Sequence, residues 1–174
     1  LAVSGGTFMN VKANQAILSL PEVDELFVFP SCGDETNSVG AAYWYYANQK
    51  LSANERVDID SVGSIYWGGE FHDNDIESIL DTYNFTAKDV RWEKYDDVEG
   101  EVAELLAAGQ VVARFKGRME FGARALGNRS ILANASQPNV VRYINDIIKS
   151  RDFWMPFAPS VLADYSADYF HKPK

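Results

Sequence analysis

Short apolar runs alternate with polar loops along the chain, and their spacing predicts the elements. Leu1, Ala2 and Val3 run into Gly5-Gly6, which predicts a strand, a tight turn and a helix over 7–19. Leu20-Pro21 ends that helix, and the apolar run at 25–30 predicts a second short strand stopped by Pro30. A polar loop at 31–38 feeds a second helix to about position 49, where Val39, Ala42, Tyr43 and Tyr46 recur at intervals of three and four and predict a buried face. Residues 51–64 are polar and irregular. Asp73 or Asn74 is placed to cap a helix carrying Ile76, Ile79, Leu80 and Tyr83 on one side. Val90 and Trp92 predict a strand. Asp96 or Asp97 opens a helix with Val98, Val102, Leu105 and Leu106 turned inward and Gly109 at its end. Val111-Val112-Ala113 and Ser130-Ile131-Leu132 predict an outgoing and a returning strand, and Pro138 starts a helix with Val141, Ile144 and Ile148 on one face. Strands alternating with helices make the chain α/β, with α+β character in its second part.

Composition bounds the class without naming a chemistry. At 174 residues and 47% hydrophobic, the chain can bury an ordinary core in one or two small domains. The single cysteine, Cys32, has no internal disulfide partner, which fits a reducing, cytoplasmic setting. No apolar run approaches eighteen residues, so no membrane span is expected. The chain starts at Leu1 without methionine and ends at Lys174 without a closing element, so it is expected to be a piece of a longer protein.

Charge changes the picture. Residues 114–151 hold eight bases (Arg114, Lys116, Arg118, Arg124, Arg129, Arg142, Lys149, Arg151) against two acids, whereas residues 1–113 hold six bases against twenty acids. In a chain of net charge −9, collecting half of the bases in 38 positions raises repulsion, and an anion is the expected relief. Guanidinium forks suit phosphate or carboxylate, and Gly117, Gly122 and Gly127 let main chain approach a ligand. A solvated basic face is the plainer alternative, but Phe115, Met119, Phe121 and Leu126 interleave with the charges. A nucleic-acid partner is disfavoured by the sequence pI near 4.7.

The run from Arg114 through Lys116-Gly117-Arg118-Met119-Glu120-Phe121-Gly122-Ala123-Arg124-Ala125-Leu126-Gly127-Asn128-Arg129-Ser130 resembles the O-carbamoyltransferase family of nodulation proteins and antibiotic-tailoring enzymes. So does the later series Ile144-Asn145, Ile148-Lys149, Arg151, Phe153 and Pro156-Phe157-Ala158-Pro159. Ala123 departs from the family's usual proline. The N-terminal motif Gly5-Gly6-Thr7-Phe8-Met9-Asn10-Val11-Lys12 with Asn14 resembles the adenosine-side motif of the same family. The resemblance implies the end of an actin-like, sugar-kinase-like ATPase domain over 1–52, a linker over 53–64 and the start of a YrdC-like domain over 65–174. It implies ATP and carbamoyl phosphate as reactants, carbamoyl-adenylate as the product of the second domain, and transfer of the carbamoyl group to a hydroxyl of a small acceptor. Lys116, Arg118, Arg124, Arg129, Lys149 and Arg151 become the expected anchors for phosphate and carbamoyl groups, with Ser130 as hydrogen-bond partner and Gly5, Gly6 and Asn10 on the nucleotide side.

Asp34 has two readings: a turn residue leading into the second helix, or a hard oxygen ligand. The resemblance implies the latter, for iron or magnesium held beside two histidines of a more N-terminal segment. His72 and His171 lack a paired spacing, so a complete metal site is not expected here. A homodimer is a candidate assembly, transfer activity is not expected of these 174 residues alone, and the acceptor cannot be read. Two rivals stand beside this reading. A noncatalytic anion or nucleic-acid module would bind with steep salt dependence and no preference for adenine. An actin-fold carbohydrate kinase would explain Gly5, Gly6 and Asp34 but not the stretch from Arg114 to Pro159.

Overall fold

A computed structural model describes residues 1–83, 85 and 90–170. His171 lies outside the described residues. The chain is a mixed α/β protein that divides into two compact units: Leu1–Tyr66 with Phe121–Arg124 and Val161–Lys174, and Trp67–Glu120 with Ala125–Ser160.

In the first unit β1 (Ala2–Val3) pairs in parallel with β2 (Phe27–Val28), Ala2 opposite Phe27 and Val3 opposite Val28. The helix expected over 7–19 is instead a 3-10 turn (Gly6–Met9) followed by α1 (Val11–Leu18). Asn10 makes the break: its Oδ1 accepts from the N–H groups of Lys12 and Ala13 at 3.1 and 3.2 Å, so it caps α1 rather than continuing a longer helix. Helix α2 (Thr36–Ser52) follows β2. Its Tyr43 and Tyr46, expected to be buried, are exposed together with Trp44 and Tyr45, and Val39 is only half-buried. Among the described residues no element makes an extended contact with α2, which leaves its aromatic side chains open. Gly122 also belongs to this unit. At φ 113° its Cα approaches Pro30 so closely that a Cβ would stand 2.7 Å from the Pro30 carbonyl oxygen.

In the second unit α3 (Asp73–Thr82) begins one residue earlier than an Asp73 or Asn74 cap would allow. His72 takes the cap position, and its N–H donates to Asp75 Oδ2 at 3.0 Å. The strand expected at Val90 and Trp92 is absent, since no described strand lies beside it to pair. Helix α4 (Val98–Ala107) is capped by Asp97, whose side chain accepts from Gly100 N–H at 3.0 Å. It closes on Gly109 at φ 84°, with Gln110 N–H returning to Leu105 O and Gly109 N–H to Leu106 O. Val102 and Leu106 are half-buried as expected, but Val98 and Leu105 are exposed. Strand β3 (Val112–Phe115) pairs antiparallel with β4 (Arg129–Leu132), Arg114 opposite Ser130 and Phe115 opposite Arg129. The helix expected from Pro138 starts at Val140 as α5 (Val140–Tyr143) and widens at once into a π-helix (Ile144–Ile148). A 3-10 turn (Ala163–Tyr165) and α6 (Ser166–Tyr169) end the described chain, within the first unit.

Few residues are deeply buried, and most of those are polar. Cys32 and Ile144 are the apolar ones among the described residues; Ser31, Thr36, Ser130 and Asn145 are the polar ones. Buried polar groups need partners, so they mark where the chain has built something specific.

Candidate functional site

In the first unit both parallel strands open at their C-terminal ends into loops that lead to helices, the place where open α/β sheets hold ligands. Gly5, at φ 111°, donates its N–H to Cys32 O at 2.7 Å and ties the two loops together. Ser4 Oγ and Thr36 Oγ1 are 3.1 Å apart, and the Thr36 hydroxyl donates to Gly33 O at 2.7 Å. The Ser31 hydroxyl donates to the Glu35 carboxylate. Gly6 opens the 3-10 turn and is exposed. Beside it Asn14 donates Nδ2 to Phe8 O at 2.7 Å, while its Oδ1 is enclosed and has no partner among the described residues. An enclosed acceptor of this kind is a ready receiver for a hydroxyl or amino donor.

Asp34 is exposed, and its main-chain oxygen accepts from Asn37 N–H at 3.1 Å, the geometry of a turn leading into α2. Among the described residues no group of three or more His, Cys, Asp or Glu side chains is arranged to hold a metal ion. One exposed carboxylate does not make a cation site, and no step is assigned to a metal. A cavity of about 580 Å³ lies in this unit, lined by apolar side chains that include Phe27, Phe29, Val39 and Tyr43.

In the second unit the loop between β3 and β4 is cross-tied. Arg129 donates Nη1 to Lys116 O at 2.8 Å and Nη2 to Gly117 O at 3.0 Å, and its guanidinium lies 3.6 Å over the Phe115 ring. Asn128 Nδ2 donates to Arg118 O at 2.7 Å, and Lys116 N–H to Asn128 O at 2.9 Å. Arg118 Nε donates to Gly68 O at 3.3 Å. Ser130, buried on β4, accepts Gly127 N–H at 2.8 Å. Glu120 stands at the middle of the loop: its Oε1 accepts from the N–H groups of Leu126 (3.0 Å), Asn128 (2.7 Å) and Arg129 (3.2 Å). Desolvation works against its ionisation, but its own backbone N–H together with these three donors outweighs it and holds the carboxyl below the usual carboxylate range.

Beyond the π-helix a second device holds a second arginine. Asn145, fully buried, donates Nδ2 to Phe153 O at 3.0 Å and to Met155 O at 3.1 Å, and accepts Arg151 Nε at 2.7 Å on its Oδ1. Arg151 N–H returns to Asn145 O at 2.9 Å, and its guanidinium lies 4.9 Å from the centre of the Phe157 ring. The plane of that guanidinium is therefore set by one buried amide and one ring. Its four terminal N–H donors have no partner among the described residues. π-turns of this sort recur at functional sites.

The candidate anchors separate into groups. Lys116, Arg118, Arg129 and Ser130 share the β3–β4 loop, while Lys149 and Arg151 share the segment after the π-helix. Arg124 belongs to the first unit, where its Nη2 donates to Met9 O at 3.3 Å. Lys149 is exposed. Lys116 pairs with Glu99, as does Arg114 at 3.1 Å. The hydrogen bond from Lys116 is the first cause of a lowered Glu99 carboxyl, with partial burial opposing it and Arg114 adding to it. Sequence reasoning gave no role to Glu120, Asn145 or Asn14. The signals available were one acid inside a basic run, and two asparagines inside apolar stretches.

Comparison with known proteins covers the same ground. Residues 1–43 match the model described as carbamoyltransferase N-terminus, and residues 103–174 the model described as carbamoyltransferase C-terminus. The chain is 35% identical to an uncharacterized protein of Methanocaldococcus jannaschii, over 99% of the chain and 28% of that protein. It is 35% identical to nodulation protein NolNO of Sinorhizobium fredii, over 99% of the chain and 25% of the relative. It is 32% identical to nodulation protein U of Rhizobium fredii, over 98% and 26%. The chain thus spans about a quarter to a third of the length of the curated relatives it matches.

Proposed function

Because the chain belongs to the carbamoyltransferase family, with its N-terminal and C-terminal models matched in order, we propose that it contributes to ATP-dependent carbamoyl transfer. Carbamoyl phosphate loses its phosphate to water, the carbamate oxygen attacks the α-phosphorus of ATP, and pyrophosphate leaves. The resulting carbamoyl-adenylate passes its carbamoyl group to a hydroxyl of a small acceptor and releases AMP.

Arg129 and Arg151 carry this reading, since each guanidinium lies on a phenylalanine ring with its edge fixed by hydrogen bonds. Donors already held in place need no reorganisation when charge develops on leaving phosphates, which is where adenylate formation needs stabilisation. Arg151 offers its uncommitted terminal N–H groups, with Lys149 two residues away as an exposed point charge. Arg118 and Lys116 line the β3–β4 loop, and Ser130 shapes it from beneath. Arg124 is a further candidate anchor, within the first unit. On the nucleotide side Gly5 and Gly6 keep the strand-end turn free of side chains, Asn10 fixes the start of α1, and Asn14 Oδ1 supplies an acceptor. In this reading residues 1–52 are the end of an actin-like domain and residues 65–174 the start of a YrdC-like one, joined by a linker over 53–64. Asp34 would join a metal site only with ligands from outside this chain.

The test is pyrophosphate release from ATP that depends on carbamoyl phosphate, for the wild type and for Arg151→Ala. Dependence on carbamoyl phosphate with loss in the variant is expected. Binding that falls steeply with salt and ignores the adenine ring would replace this reading with a noncatalytic anion module, and phosphorylation of a sugar would replace it with a kinase.

A further inference from the structure

We propose that Glu120 is a positioning residue: its carboxylate is the resident anion of a backbone nest and holds the 116–129 loop in the shape that offers Arg118 and Arg129 to a phosphate ligand. The inference rests on the anion-binding reading of that loop. Three N–H groups, from Leu126, Asn128 and Arg129, converge on one oxygen of Glu120. Successive main-chain N–H groups turned inward form a concavity that selects an anion. Here the chain supplies the anion itself, and among the described residues no side-chain cation is paired with it. Lys116 pairs with Glu99, Arg118 turns its Nε to Gly68 O, and Arg129 turns one N–H each of Nη1 and Nη2 to Lys116 O and Gly117 O, while Arg114 on β3 also faces Glu99 of α4. Removing Glu120 leaves three N–H groups facing one another, and the returning limb of the loop loses the tie that sets Asn128 and Arg129. Asn128 in turn holds Arg118 O, so both candidate arginines lose their register together.

The nest is tested by following the backbone amide shifts of Leu126, Asn128 and Arg129 in the wild-type chain as pH falls. They are expected to move together with one midpoint below the ordinary glutamate value of about 4.3. Separate midpoints, or none, would overturn the proposal. Binding is tested by calorimetry with ATP on Glu120→Gln and Glu120→Ala. Affinity should fall about tenfold or more, the effect of losing one set of charge-assisted bonds. Added acetate should restore binding to the alanine variant, which a purely structural defect would not show. Wild-type affinity in Glu120→Gln, with unshifted amides, would sink the idea. If the wild type itself binds no ATP, the functional reading fails, and the amide titration alone decides the role of Glu120.

Discussion

The β3–β4 loop and the segment after the π-helix immobilise an arginine by the same plan and with different materials. In both, a guanidinium lies over a phenylalanine ring and its edge is hydrogen bonded: Arg129 over Phe115, Arg151 over Phe157. The loop spreads the work over many bonds, with Arg129 on two carbonyls and Glu120 on three N–H groups. The later segment concentrates it in Asn145, which is fully buried and bonds three groups at once. Loss of Arg129 leaves the other bonds of the loop in place, whereas loss of Asn145 removes all three bonds of the later segment at once. The distributed tie spends much of the Arg129 edge on its own backbone. The concentrated one leaves Arg151 freer to meet a ligand.

That contrast can be broken. Asn145→Ala should destabilise most, by about 3 kcal/mol in denaturant unfolding, because two carbonyls and Arg151 Nε lose a buried partner together. A cost near zero would show that the amide is not the hub. Arg129→Ala should cost less, about 1 to 2 kcal/mol, since neighbouring ties remain. A loss equal to that of Asn145→Ala would erase the distinction. Acid adds a direction: Glu120 titrates lower in the folded chain, so the stability it contributes is fully present above the ordinary glutamate value. That stability drains away as pH falls through the lowered value. Stability curves of the wild type and Glu120→Gln should therefore converge on acidification, and parallel curves would contradict the nest. The smallest effect belongs to Glu99→Gln. Its pairs with Lys116 and Arg114 are solvent-exposed, so under about 1 kcal/mol is expected, shrinking further with salt.

Local signals were legible in the sequence and long-range ones were not. Asp97 and Gly109 bracket α4 as their types require, and the strands around the basic loop pair as their apolar runs suggest. Caps and hairpins are written within a few residues. The break at Asn10 was also local, but apolar spacing running through it disguised a cap as helix interior. Val90 and Trp92 have strand-forming side chains and no neighbouring strand among the described residues, and propensity without a partner does not make a sheet. Tyr43 and Tyr46 keep helical spacing on a face left largely open among the described residues. In the candidate site the basic residues stood out by charge, while Glu120 and Asn145 were hidden. Their importance lies in which backbone groups they meet, and that is settled only when the loop closes.

Everything here depends on whether these held arginines receive a nucleotide's phosphates. Calorimetric titration of the chain with ATP and with GTP, for the wild type and Arg151→Ala, tests it most directly. The prediction is a preference for ATP over GTP and a loss in the variant of about tenfold, the size of one bidentate charge-assisted contact. Equal affinities for the two nucleotides, or an Arg151→Ala chain that binds ATP as the wild type does, would contradict it.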